Sequence, residues 1–421
     1  MLTAVSKHAA TIRTADEAEQ VLRTAVQHLR AVPHGPSSVE WPIDLQYASP
    51  TTSTGPRPDR SVPAPDADAV ARAAEVIRSA RRPLLWVGGG GTGAGDQVRE
   101  LAERMRAGVL TSNSGRGSLP EDHELVIGNF ATNPEAAELL ADADLLVSIG
   151  THFRSNETKH YALDLPTNHV QIDIDPRAIG RVYPTTADVV GEAGAVLPRL
   201  NAQIDQMRTD PQWPARVSRT REAVREHVRA SIGEQALICD AVRQAVPRET
   251  IIARDVTIPS SQWGNRLLPI YHPSTNVFPV GGGIGQGLAT GIGSALAVSE
   301  APTVVLAGDG GLATHLGELA TLAQERPWLV LVVFNDGGYG VLRNMQDEHV
   351  GRRSGVDLFT PDIGRLASSL DLPHALVNRA EAFTEAFSKA VDHHGPYVVE
   401  VDVTSLAPAP RPFVPPVHIP S

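Results

Sequence analysis

Thr303-Val304-Val305-Leu306-Ala307-Gly308-Asp309-Gly310-Gly311 and, after a helix-length spacer, Leu329-Val330-Leu331-Val332-Val333-Phe334-Asn335-Asp336-Gly337-Gly338-Tyr339-Gly340 decide the fold. Each is an apolar run that ends in an acid-glycine turn, and Asp309 and Asp336 stand 27 positions apart. Between them, residues 315–326 repeat apolar side chains at Leu316, Leu319, Leu322 and Ala323, the spacing of one helix face. The order is strand, helix, strand. A crossover of this length makes the strands parallel, and as neighbours their carboxyl ends lie about 5 Å apart. Both acidic turns then open into one crevice. Two carboxylates beside glycine-freed backbone suit Mg2+ or Ca2+ carrying an anionic ligand, usually a phosphate, and without the metal they would repel that anion. A single Asp-Gly turn more often merely ends a strand; the pairing is what points to chemistry.

A second glycine cluster precedes this unit: Phe278-Pro279-Val280-Gly281-Gly282-Gly283-Ile284-Gly285-Gln286-Gly287-Leu288, followed by a small-residue helix over 289–298. Such a cluster lets backbone approach a flat ligand closely, although alone it reads equally well as a tight strand-to-helix turn.

Together these segments resemble the thiamine diphosphate motif of acetolactate synthases, benzoylformate decarboxylase and related 2-oxo acid decarboxylases. The resemblance implies that the Asp309 and Asp336 side chains and the Gly338 carbonyl hold Mg2+. It places Gly308, Gly310, Gly311, Tyr339 and Gly340 around the cofactor, with Gly310 and Gly311 near its diphosphate. It also places Gly282, Gly283 and Ile284 at the rings, Ile284 wedged between them and the Gly282 carbonyl accepting from the aminopyrimidine. Val341, Leu342 and Met345 fall where relatives line the substrate pocket, and packing beneath the cofactor is an equally good account of them. Most relatives carry Asn where this chain has Asp336; the extra charge should still coordinate Mg2+ while altering its affinity.

The rest of the chain follows the family order. The expected class is α/β, with two doubly wound, mostly parallel-sheet domains and an N-terminal remnant. The remnant of a pyrimidine-binding domain covers 1–47, with an amphipathic helix over 14–31 and a strand within 35–44. A Pro-rich linker covers 48–66, and a Rossmann-like central domain 67–202. A helical connector covers 203–235, its charges solvated; the thiamine diphosphate-binding domain covers 236–405, and a proline-rich surface tail 406–421. Thr111-Ser112-Asn113-Ser114-Gly115-Arg116-Gly117-Ser118-Leu119-Pro120-Glu121-Asp122-His123 matches a usual central-domain loop of these enzymes.

In the family the pyrimidine domain carries the catalytic glutamate, and the active site lies between that domain of one subunit and the diphosphate domain of another. No catalytic residue is therefore assigned here: Glu17, Glu19 and Glu40 lie after the place where that glutamate belongs. The implied activity is decarboxylation of a small 2-oxo acid, the product being protonated to an aldehyde or added to a second carbonyl. It requires a pyrimidine domain from another chain or an upstream extension, in a homodimer, a tetramer or a mixed complex. This chain alone is expected to be weakly active or inactive.

Two other readings stay open: a non-catalytic cofactor-binding subunit, and a dinucleotide-dependent oxidoreductase using the Gly88–Gly95 loop. The Arg-Phe-Asp-Asp-Arg stretch that accompanies FAD in acetolactate synthases is replaced by His152-Phe153-Arg154-Ser155-Asn156-Glu157-Thr158, which argues against FAD. His152, His160 and His169 read as surface or loop histidines rather than bases.

Composition narrows the classes. The 421 residues are 42% hydrophobic, enough for two or three soluble cores, and the net charge of -11 without a basic run argues against nucleic acid or an acidic membrane. Cys239 is the single cysteine and reads as a buried small residue. Without an apolar signal core or an 18-residue apolar span, the expected compartment is the cytoplasm.

Overall fold

A computed structural model describes residues 2–49, 64–205 and 207–415. Most of the Pro-rich linker lies outside them. The N-terminal strands are β1 (His8–Thr11) and β2 (Ser37–Glu40). They are followed by β3 (Pro83–Val87), β4 (Gly108–Thr111), β5 (Val126–Gly128), β6 (Leu145–Ile149), β7 (Asn168–Asp173) and β8 (Ala187–Val190), which form one six-stranded sheet in the order β5-β4-β3-β6-β7-β8. A second sheet contains β9 (Ile251–Arg254), β10 (Asn276–Val277), β11 (Thr303–Gly308), β12 (Leu329–Asn335), β13 (His374–Val377) and β14 (Tyr397–Asp402), ordered β10-β9-β11-β12-β14-β13. Every pairing in both sheets is parallel. Helices cover both faces, so the central strands are buried almost throughout and read as mainly apolar runs.

The decisive stretch folds as its pattern requires. β11 and β12 are hydrogen-bonded neighbours, with Thr303 opposite Leu329 and Gly308 opposite Phe334, so their acidic turns emerge together. The expected single helix between them is instead a short Asp309–Thr314 helix and a Glu318–Glu325 helix. His315 leaves helical geometry at φ -132 and ends the first, which starts at the acid itself.

Corrections arise elsewhere. The Trp213–Ile232 helix is not solvated all round: Trp213, Val217, Thr220, Val224, Val228 and Ile232 are buried. That stripe joins a core shared by both sheets, and Trp213 Nε1 donates to the Pro83 carbonyl at 2.9 Å. A buried ion pair of the first unit also bonds across to the second. Arg116 grips Glu121 in bidentate fashion (2.7 and 2.6 Å) and donates to the carbonyls of Gly264 and Leu268, while Glu121 accepts from the Ile270 amide. The N-terminal segment is more than a helix and a strand: β1 pairs in parallel with β2, and the Ala18–Arg30 helix packs on them. Its apolar residues Leu22, Val26 and Leu29 remain exposed, as do Trp41, Ile43 and Tyr47.

Candidate cofactor and metal site

Three neighbouring strands of the second sheet, β9, β11 and β12, end at one cleft of about 80 Å3. β11 delivers Gly308 to Gly311, β12 delivers Asp336 to Gly340, and the segment after β9 delivers Val256, Thr257 and Ile258. Ile284 from the glycine-rich loop, 39% exposed, closes one side. Carboxyl ends of parallel strands are where α/β sheets bind ligands, because the following loops diverge there and leave a crevice.

The Asp336–Gly340 turn is braced from outside. Gly338 has φ +154, and a Cβ there would meet the Val356 carbonyl at 2.2 Å, so only glycine fits. The Tyr339 amide donates to Val356 O and the Leu358 amide to Gly337 O, holding the turn against residues 356–358. Arg343, one turn into the Gly340–His349 helix, donates to the Asp336 carbonyl at 3.1 Å and to Asp357 Oδ1 at 2.9 Å. Its guanidinium also approaches Asp336 Oδ1 at 3.9 Å.

The two carboxylates are electrostatically uneasy. The Asp336 amide donates to Asp309 Oδ1 at 3.3 Å, yet Asp309 Oδ2 and Asp336 Oδ1 are buried without any hydrogen-bond partner. Burial raises the Asp309 carboxyl above the usual range, opposed by backbone N–H groups. Asp336 is pushed up to about 6, first by burial and then by the charge of Asp309, with Arg343 pulling the other way. A Cβ on Gly310 would sit 2.8 Å from the Gly338 carbonyl oxygen, which puts that oxygen beside the same turn. Two carboxylate oxygens lacking hydrogen-bond partners, with a backbone carbonyl nearby, are a donor set that fits a small divalent cation such as Mg2+. Among the described residues no three His, Cys, Asp or Glu side chains converge, so a cation here would draw on backbone oxygen as well.

Of the sequence-derived candidates, Gly308, Asp309, Gly310, Gly311, Asp336, Gly338, Tyr339, Gly340, Val341, Leu342 and Ile284 line this cleft. Gly282, Gly283 and Met345 are not among its lining residues. The wall at 256–258, Asp255 and Arg343 escaped the sequence reading. The available signal was a third apolar run, Ile251-Ile252-Ala253, leading into an acid.

The Gly88–Gly95 loop lies elsewhere, on a cavity of about 540 Å3 with Gly150, His152, Asp173 and Glu192. His169 is not a surface residue: it is buried on β7 between Ser148 Oγ and the Pro184 carbonyl, and burial lowers its pKa. Cys239 is buried and its thiol pKa is raised, as suits an inert packing residue.

Two family descriptions match the chain: "Thiamine pyrophosphate enzyme, central domain" over residues 70–200 and "Thiamine pyrophosphate enzyme, C-terminal TPP binding domain" over 259–401. The chain belongs to the thiamine pyrophosphate enzymes. It is 32% identical over 318 residues to the probable 2-ketoarginine decarboxylase of Pseudomonas aeruginosa, covering 73% of this chain and 56% of that protein. It is 27% identical to the pyruvate oxidase of Lactiplantibacillus plantarum, covering 93% of this chain and 66% of that one. A solved structure from Mycobacterium smegmatis, described as a thiamin diphosphate-dependent enzyme, superposes with a TM-score of 0.74 at 26% identity, covering 94% of this chain and 76% of the other. The chain thus spans a little over half to three quarters of these family members. The cleft residues from Ile284 to Leu342 fall within the matched C-terminal domain, and Val256, Thr257 and Ile258 immediately precede it.

Proposed function

We propose that the chain binds thiamine diphosphate through Mg2+ at the β11–β12 cleft and supplies the diphosphate half of the active site of a lyase or synthase acting on 2-oxo acids. The observation that carries this is the pair Asp309, buried, and Asp336, half-buried, at the ends of adjacent parallel strands, each with one buried oxygen that lacks a hydrogen bond. Those two side chains and the Gly338 carbonyl would hold the metal. Bound thiamine diphosphate supplies an electron sink for loss of CO2 from a 2-oxo acid. The chain's own residues bind and orient: the glycines at 308, 310 and 311 leave room for the diphosphate, Ile284 lies toward the rings with Gly282 and Gly283 in the loop just outside the cleft, and Val341 and Leu342 offer an apolar wall to the substrate, with Met345 beyond the cleft lining.

Ile284 and Leu342 on the cleft wall, and Val280 beside the glycine loop, remain exposed. Exposed apolar side chains at the site favour its completion by a pyrimidine domain from another chain or an upstream extension, in a homo-oligomer or mixed complex. We assign 67–202 to the central domain and 236–405 to the cofactor-binding domain, with 1–47 as the end of the pyrimidine domain.

Equilibrium binding of thiamine diphosphate in Mg2+ to Asp309→Ala tests the site. Removing a charged metal ligand should reduce affinity at least a hundredfold; undiminished affinity would place the site elsewhere.

A further inference from the structure

Asp255 directly follows β9 and takes no part in the proposed metal set, yet it is 3% exposed and ties together the chain segments that frame the cleft. Its Oδ1 accepts from the Val256 amide at 2.6 Å and from the Gly285 amide at 2.9 Å; its Oδ2 accepts from the Gly287 amide at 3.0 Å. Its own amide is fixed by the Leu306 carbonyl of β11 at 2.8 Å. A third segment packs directly on it: a Cβ added to Gly311 would lie 3.2 Å from the Asp255 carboxyl.

We infer that Asp255 is a positioning residue that fixes the ring-side wall of the cofactor cleft by capping, in trans, the Gln286–Ala297 helix. This rests on the thiamine diphosphate reading above. Gly285, at the N-cap of that helix, has φ +88 and no side chain with which to cap, so orphan amides at the helix start need an outside acceptor. A carboxylate there also meets the positive end of the helix dipole. The residue immediately before Gly285 is Ile284, whose partly exposed side chain reaches the cleft. The residues immediately after Asp255 are Val256, Thr257 and Ile258, which line the same cleft. One carboxylate therefore ties together two of the segments that line the cleft. Because its oxygens are spent on backbone amides, it does not compete for the metal.

Asp255→Asn replaces one acceptor oxygen with an NH2 group facing backbone N–H donors, and should release the Gly285 loop while leaving the metal turn in place. The test compares two probes on the full chain in Mg2+: thiamine diphosphate, and inorganic pyrophosphate, which lacks the rings. The expected result is at least a tenfold loss of thiamine diphosphate affinity with pyrophosphate affinity changed less than twofold. Ile284→Ala should show the same selectivity, and the double variant should lose less than the sum of the two singles, since both act on one loop. Equal losses for the two probes, unchanged thiamine diphosphate affinity, or full additivity would overturn the assignment. Should Asp255→Asn fail to fold, Asp255→Glu, which keeps the charge but displaces the carboxylate by one methylene, is read the same way. Failure of the unmodified chain to bind either probe would instead sink the cofactor reading itself.

Discussion

At the scale of the residue, the site is defined by charge brought too close together. Partial burial, and then the charge of Asp309, push the Asp336 carboxyl up to about 6, so in the metal-free chain its ionisation has a cost. The sign is fixed by linkage: a carboxyl with a folded pKa above its unfolded value favours folding most below about pH 4, and that contribution is lost as pH rises through about 6. Asp336→Asn should therefore raise the thermal midpoint of the metal-free chain at about pH 7.5 and change it much less at about pH 4; an equal shift at both would show that the charge is not responsible. A cation needs the ionised form. Mg2+ affinity of the unmodified chain should accordingly fall by up to about tenfold for each pH unit below 6, and Asp336→Asn should flatten that slope, as read by titration across the pH range. Arg343, 3.9 Å from Asp336 and fixed by Asp357, offsets part of the repulsion without removing it.

At the scale of the element, strands that are buried on both faces were legible because apolar residues dominate them. The 303–308 and 329–335 runs and their acidic turns announced their partnership as neighbouring parallel strands and the crevice at their ends. Other elements hid for physical reasons. β1, His-Ala-Ala-Thr, is four residues long and only half-buried, too short and too polar to stand out. The Trp213–Ile232 helix carries its buried stripe among five arginines, of which Arg221 and Arg225 donate to carbonyls at 126 and 127, so a packed strut resembles a solvated connector. Asp255 escaped because its partners are backbone amides some thirty residues away, which no local pattern encodes. The Arg116–Glu121 pair lay within a recognised loop, but its burial was not apparent. Arg116→Ala would strand a buried carboxylate and should destabilise the chain by about 3–5 kcal/mol in denaturant unfolding, whereas Arg116→Met with Glu121→Leu should recover most of that loss. A small effect of the single variant would mean that water reaches the pair.

At the scale of the whole molecule, two complete parallel sheets share a core, while the βαβ piece that precedes them leaves its apolar side chains exposed. The chain is expected to show little or no turnover of pyruvate or benzoylformate alone and to gain it when a pyrimidine domain is supplied, followed as CO2 release; substantial turnover by the isolated chain would refute the requirement for a second domain. All of this depends on one event, capture of the cofactor by the metal turn. Calorimetric titration of the purified 421-residue chain with thiamine diphosphate, with and without Mg2+, tests it most directly. Saturable one-site binding that requires Mg2+ is the predicted result, and binding that is indifferent to the metal, or none under either condition, would contradict it.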